Sequence, residues 1–168
     1  MVLTPHAIAG AAITSLFRLN PVTAFFAGFL SHFFLDLIPH WDYKLKSAYK
    51  DEAQPLNNDF GVGPGLYFDL AKTGFDAFLG LALSVLFFSF GAGISFWAII
   101  FGAIGGILPD PLQVVYMKWR KEPLISLQKT HLLFHTSHRI YNPVLGVTLY
   151  CFIILFFLLL GSLSLFSW

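Results

Sequence analysis

The chain has 168 residues, 57% of them hydrophobic and only 11% charged, against roughly 45–50% and about 25% in soluble domains. That balance excludes an ordinary soluble domain and points to a single integral membrane domain. A net charge of +1 gives no field for nucleic acid, and the single cysteine, Cys151, excludes a disulfide framework or a thiolate metal cluster.

The N-terminal MVLTPHAIAG lacks a basic region and a small-residue cleavage site, so no removable signal peptide is expected. Residues 4–17 are a short apolar helix, with Thr4 as its N-cap and Pro5 at its first position. Such a helix reaches about 21 Å, short of a hydrocarbon core of about 30 Å. A turn at Arg18–Pro21 leads into a second helix over 21–38, which Pro39 ends. Residues 39–65 are a polar loop rich in Pro and Gly. A third helix runs over 66–90, with Asp69, Lys72 and Asp76 in its first part, and Gly91–Gly93 turn the chain. A fourth helix runs from 94 to Pro109 and resumes to 117. The charged segment 118–142 has helical apolar rhythm, which predicts an interfacial helix near 123–138. Residues 143–167 are an uncharged apolar run, a plain transmembrane helix.

The fold expected is therefore an all-α polytopic membrane bundle of about five membrane helices. It comprises two tandem hairpins, 4–38 and 66–117, and a C-terminal helix, 143–167. Five passes put Lys44, Lys46, Lys50, Lys118, Arg120, Lys121, Lys129 and Arg139 on one side, and Arg18 alone on the other. The positive-inside bias makes the first side cytoplasmic, together with the N-terminus. An inner-membrane, multi-pass protein is expected, with the bilayer as its partner and its oligomeric state open.

Every histidine falls on that same side. In GFLSHFFLDLIPHWD, His32 and Asp36 stand four apart and share one helix face, with His40 and Asp42 just beyond Pro39. His6 opens the first helix and Asp110 closes the fourth. His131, His135 and His138 lie at i, i+4 and i+7 on the interfacial helix. Ionisable groups at membrane depth are functional by default, and imidazole with carboxylate suits zinc, manganese or iron. His6, His32, Asp36, His40, Asp110, His131, His135 and His138 are the candidate ligands, for two or more divalent ions. The alternatives stay open: a buried hydrogen-bonded pair for His32 and Asp36, a solvated polar face for the three later histidines, and a helix cap for Asp110. Asp42 and Asp76 are candidates for ligand or general base. Lys72 either neutralises an acidic neighbour or, with Arg139, binds a substrate phosphate. Trp41 and Tyr43 suit an interfacial aromatic belt. Setting Ala7 on Ala77, Gly10 on Gly80 and Pro39 on Pro109 also suggests that the two hairpins repeat about a pseudo-twofold axis.

The TPHAIAG start, the FLSHFFLD helix, the P-H-x-D and LPD elements and the HLLFHTSHR segment resemble bacterial membrane-bound metal-dependent hydrolases. That group is similar to the zinc-dependent phospholipase C and P1 nuclease superfamily, whose helical His and Asp or Glu ligands hold a zinc cluster. The resemblance covers residues 4–42 and 105–139. It implies metal roles for His6, His32, Asp36, Asp110 and the histidines of 131–138, and hydrolysis of a phosphoester, either a lipid headgroup or a cytosolic substrate. A metal-ion or proton transporter using the same residues, and a non-enzymatic scaffold with a structural metal, are the rival expectations.

Overall fold

The computed structural model describes residues 2–136 and 140–163. Among them the chain forms seven α-helices and one two-residue-per-strand hairpin. The helices are α1 (Leu3–Leu16), α2 (Pro21–Asp36), α3 (Pro64–Ser84), α4 (Phe96–Ile107), α5 (Pro109–Lys118), α6 (Leu124–Phe134) and α7 (Pro143–Ser162). Within the polar loop, β1 (Ala48–Tyr49) pairs antiparallel with β2 (Asp59–Phe60).

Local chemistry explains most of the boundaries. Asn20 accepts from the Val22 and Thr23 amides at 3.1 Å, and Pro21 holds the first helical position of α2. Asn142 and Pro143 start α7 in the same way. Gly93 takes a left-handed backbone with φ of 68°, which is why the turn after α3 ends on glycine. Two expectations at helix ends are corrected. Val2 and not Thr4 is the residue before α1, because the Thr4 hydroxyl is drawn 2.6 Å from an Asp76 carboxylate oxygen instead. The second helix stops at Asp36 rather than 38, where the Thr136 amide takes the Asp36 carbonyl at 2.9 Å.

Among the described residues, two helices are long and apolar enough to cross a membrane: Pro64–Gly91, α3 with a π-helical continuation, and Pro143–Ser162. A third span results if α4 and α5, bent by 46° at the Leu108–Pro109 junction, count as one. α1 and α2 are shorter than a full crossing.

α1 lies at the centre of the bundle. It packs against α2, α3, α4 and α7, and nearly every residue from Leu3 to Ser15 is buried. Small side chains make this possible. A Cβ on Gly10 or Gly28 would overlap the Gly102 carbonyl oxygen, and one on Gly106 would overlap the His6 carbonyl oxygen. Backbones of α1, α2 and α4 therefore touch, the close approach that glycine allows in membrane bundles. The hairpins are not equivalent, which corrects the pseudo-twofold expectation. α1 packs along α4 extensively, whereas α2 has no comparable contact with α3, which lies at the rim.

Candidate metal centre

The backbone contact of α1, α2 and α4 brings His6, His32 and Asp36 together at one end of the bundle. The α4–α5 bend carries Asp110 to the same end, and α6 lays His131 across it. Each of these five residues is at most 6% exposed. His6 and His32 stack with ring centroids 4.2 Å apart, and His131 stands edge-on to His32 at 5.0 Å.

All the ion-pair distances within the cluster run through histidine Nε2. The Asp36 carboxylate lies 3.5 Å from His6, 3.2 Å from His32 and 2.8 Å from His131. Asp110 Oδ1 lies 3.8 Å from both His32 and His131. The opposite ring nitrogen explains the orientation. His32 Nδ1 donates to the Gly106 carbonyl at 2.8 Å, His40 Nδ1 to the Ile38 carbonyl at 2.8 Å, and His135 Nδ1 to the Thr136 carbonyl at 3.2 Å. A proton on Nδ1 leaves the Nε2 lone pair turned inward, the tautomer that metal-bound histidines adopt.

The centre is also short of donors. His32 Nε2 and Asp36 Oδ2 are fully buried and, despite their proximity, make no hydrogen bond of good geometry. A buried carboxylate facing imidazole lone pairs costs several kcal/mol unless a cation offsets it. Among the described residues the partners of Asp36 are histidines, with no Lys or Arg within ion-pair range. Three overlapping groups can each hold an ion: His6, His32 and Asp36; His32, Asp110 and His131; Asp36, His40 and His135. In each group the donor atoms lie within 4.8 Å of one another.

Asp42 sits at the more open side of the third group. Its Oδ2 is 3.8 Å from both His40 and His135 Nε2, and its side chain is 18% exposed. The loop that carries it is pinned to α7, where Tyr150 OH donates to the Trp41 carbonyl at 2.5 Å and the Trp41 side chain fits over Gly146. The Ile140 amide adds a bond to the His40 carbonyl at 3.1 Å. Burial holds the His135 imidazole below its ordinary range, which favours the neutral, ligating form. Trp41 thus anchors the loop that carries Asp42 to α7.

Other predicted site residues stand elsewhere. Asp76 accepts from the Leu3 amide at 2.5 Å, the Thr4 amide at 3.2 Å, the Thr4 hydroxyl at 2.6 Å and the Tyr43 hydroxyl at 3.2 Å. It caps the N-terminus of α1 and stands outside the three groups that could hold an ion. Burial, with the Asp76 charge, holds the Tyr43 phenol above its ordinary range and keeps it a donor. Asp69 holds the loop, accepting from Lys46 N at 3.0 Å, Ser47 N at 2.8 Å and Ser47 Oγ at 2.7 Å. The Lys72 ammonium lies over the Tyr43 ring, 3.9 Å from the centroid, and its charge also acts favourably on Asp69. His138 and Arg139 lie outside the described residues.

Sequence reasoning missed Gln113 and Gln128. Gln113 Nε2 donates to Asp110 Oδ1 at 3.1 Å and lies 3.2 Å from His131 Nε2, and Gln128 Nε2 donates to Gln113 Oε1 at 3.3 Å. The signal was present in the spacing, since Gln113 follows Asp110 by one turn and Gln128 precedes His131 by one turn. An apolar groove lined by Leu30, Phe34, Ile38 and Phe157 follows a different face of α2 from His32 and Asp36, and carries none of this chemistry. No family model, curated protein or solved structure matches the chain.

Proposed function

We propose that the chain is a membrane-bound, metal-dependent hydrolase that cleaves a phosphoester at a His/Asp centre on the cytoplasmic side. In this reading α1, α2 and the α4–α5 pair cross the bilayer with α3 and α7, five passes in all. The short helices end beneath the surface, and their ends are where the ligands gather. The observation that carries the reading is a buried set of Nε2 and carboxylate atoms within 4.8 Å of one another, in which His32 Nε2 and Asp36 Oδ2 are left without a hydrogen bond. A set of imidazole and carboxylate donors with no cysteine suits zinc, with manganese or iron as alternatives.

His6, His32, Asp36, His40, Asp110, His131 and His135 hold the ions, with Asp36 and His32 shared between groups. Divalent ions there supply Lewis-acid stabilisation of a phosphoryl oxygen and an acidified water nucleophile. The chain's own part is to orient and to move protons. Nδ1 bonds from His32, His40 and His135 fix the rings, so ligand geometry is set before substrate arrives. Asp42, at the open side and beside two ligating rings, accepts the proton of the attacking water. The bundle on the other side excludes bulk water from the ions.

The test is elemental analysis of the purified chain at neutral pH without chelator, followed by hydrolysis of bis(p-nitrophenyl) phosphate and of phospholipid vesicles. Bound zinc, manganese or iron with phosphoester cleavage supports the reading. Bound metal with no cleavage, and metal flux into liposomes that His32→Ala abolishes, reverses it in favour of transport.

A further inference from the structure

The second of the three ligand groups, His32, Asp110 and His131, has three donors. Two glutamines stand directly beside it, on the two helices that deliver two of those donors. Gln113 lies one turn beyond Asp110 on α5, and Gln128 one turn before His131 on α6, so each helix presents a ligand and an amide on one face. Where the faces meet, one atom of the Gln113 amide is 3.1 Å from Asp110 Oδ1 and 3.2 Å from His131 Nε2. The two amides join to each other at 3.3 Å, and Gln128 Oε1 is buried with no partner.

The position of that amide atom is what matters. It faces a carboxylate oxygen and an imidazole nitrogen that both belong to the ligand group. With a cation present, a nitrogen bearing two hydrogens cannot stay there, because it would point its protons at the ion. An amide is nearly symmetric in shape, and a half-turn exchanges its oxygen and nitrogen. The half-turn puts Gln113 Oε1 among the donors and turns Gln113 Nε2 towards Gln128. A matching turn of Gln128 gives its orphaned Oε1 a donor. The pair therefore has a second arrangement in which the polar contact between the amides is kept and the centre gains an oxygen.

We infer that Gln113 is a metal ligand through its amide oxygen, completing an N2O2 set with His32, Asp110 and His131, and that Gln128 orients it. This rests on the reading of the cluster as a metal centre. Four donors from three helices, two of them nitrogen and two oxygen, is the coordination number of tetrahedral zinc. Gln113 joins α5 to α6 through Gln128 in either arrangement, and the ion would add a second link through His131.

The two roles open to Gln113, oxygen ligand or hydrogen-bond donor to Asp110, respond oppositely to one substitution. Gln113→Glu puts an anionic oxygen at the site, which strengthens a ligand but repels Asp110 if only a donor was needed. Gln113→Leu removes both. The experiment is Zn2+ binding to the detergent-purified full chain by competition with a chromophoric chelator, for wild type and the two variants, with the melting temperature of each as a check on folding. The expected result is a loss of about 10–100-fold in the affinity of one ion for Gln113→Leu, with the other ions retained, and equal or tighter binding for Gln113→Glu. Unchanged stoichiometry and affinity in Gln113→Leu, or weakened binding in both variants, overturns the assignment while leaving the centre intact. A wild-type chain that binds no Zn2+ overturns the metal centre itself and Gln113 with it.

Discussion

Two pairs of acids, three of the four fully buried and Asp76 half-buried, lie near the same end of this bundle in opposite surroundings. Asp69 and Asp76, on α3, are surrounded by hydrogen-bond donors: backbone amides and hydroxyls from Leu3, Thr4, Tyr43, Lys46 and Ser47. Asp36 and Asp110 face histidine Nε2 atoms; Asp110 has one amide donor, Gln113, and Asp36 Oδ2 makes no hydrogen bond of good geometry. A carboxylate saturated with N–H and O–H donors is a structural anchor, since its charge is met where it sits. A carboxylate turned towards lone pairs is incomplete without a cation. The same residue type thus builds a helix cap in one place and, in another, a group of donors that could hold a metal ion.

That contrast is sharpened by substituting one acid of each kind. The largest effect is expected for Asp36→Asn, which removes the carboxylate shared by two ligand groups. Metal content should drop and hydrolysis should fall by at least about 100-fold, measured by elemental analysis and turnover on the same preparation. Asp42→Asn should keep the metal and lower turnover by about 10²–10⁴-fold, the range of a general base. A variant that loses metal instead would make Asp42 a ligand. Asp76→Ala should do the reverse of Asp36→Asn. It removes the cap of α1 and its hydrogen bonds, costing about 1–3 kcal/mol of stability, with metal stoichiometry unchanged in the fraction that folds. The smallest effect is expected at the surface. Asp59 pairs with Lys118 at 2.6 Å, but both side chains are exposed. Asp59→Asn should leave melting temperature and metal content where they are, because exposed ion pairs contribute little.

How much of this was readable beforehand follows the range of the interactions. The Asn20–Pro21 and Asn142–Pro143 starts, the turn at Gly93 and the His32–Asp36 face are local, and the sequence displays them. The gathering of His6, His32, Asp36, Asp110 and His131 was legible as a shared side, because helix direction alone puts them there. The central position of α1 was not, since small apolar residues read alike whether they meet lipid or another backbone. Gly10, Gly28 and Gly102 show the difference only once three helices are in place. The part played by Asp76 depends on α1 arriving from more than seventy residues away, so its spacing to Asp69 and Lys72 was no guide. Gln113 escaped because an amide is an uncommon ligand, although its one-turn spacing from Asp110 matched that of Gln128 from His131.

The central claim is that buried imidazoles and carboxylates form a metal centre rather than a hydrogen-bonded core. Metal content of the purified wild-type chain, prepared at neutral pH without chelator, tests it most directly. The account predicts two or more zinc, manganese or iron ions per chain, with fewer in Asp36→Asn and no change in Asp76→Ala. A well-folded wild-type chain that carries none of these metals, and takes up none on addition, would contradict it.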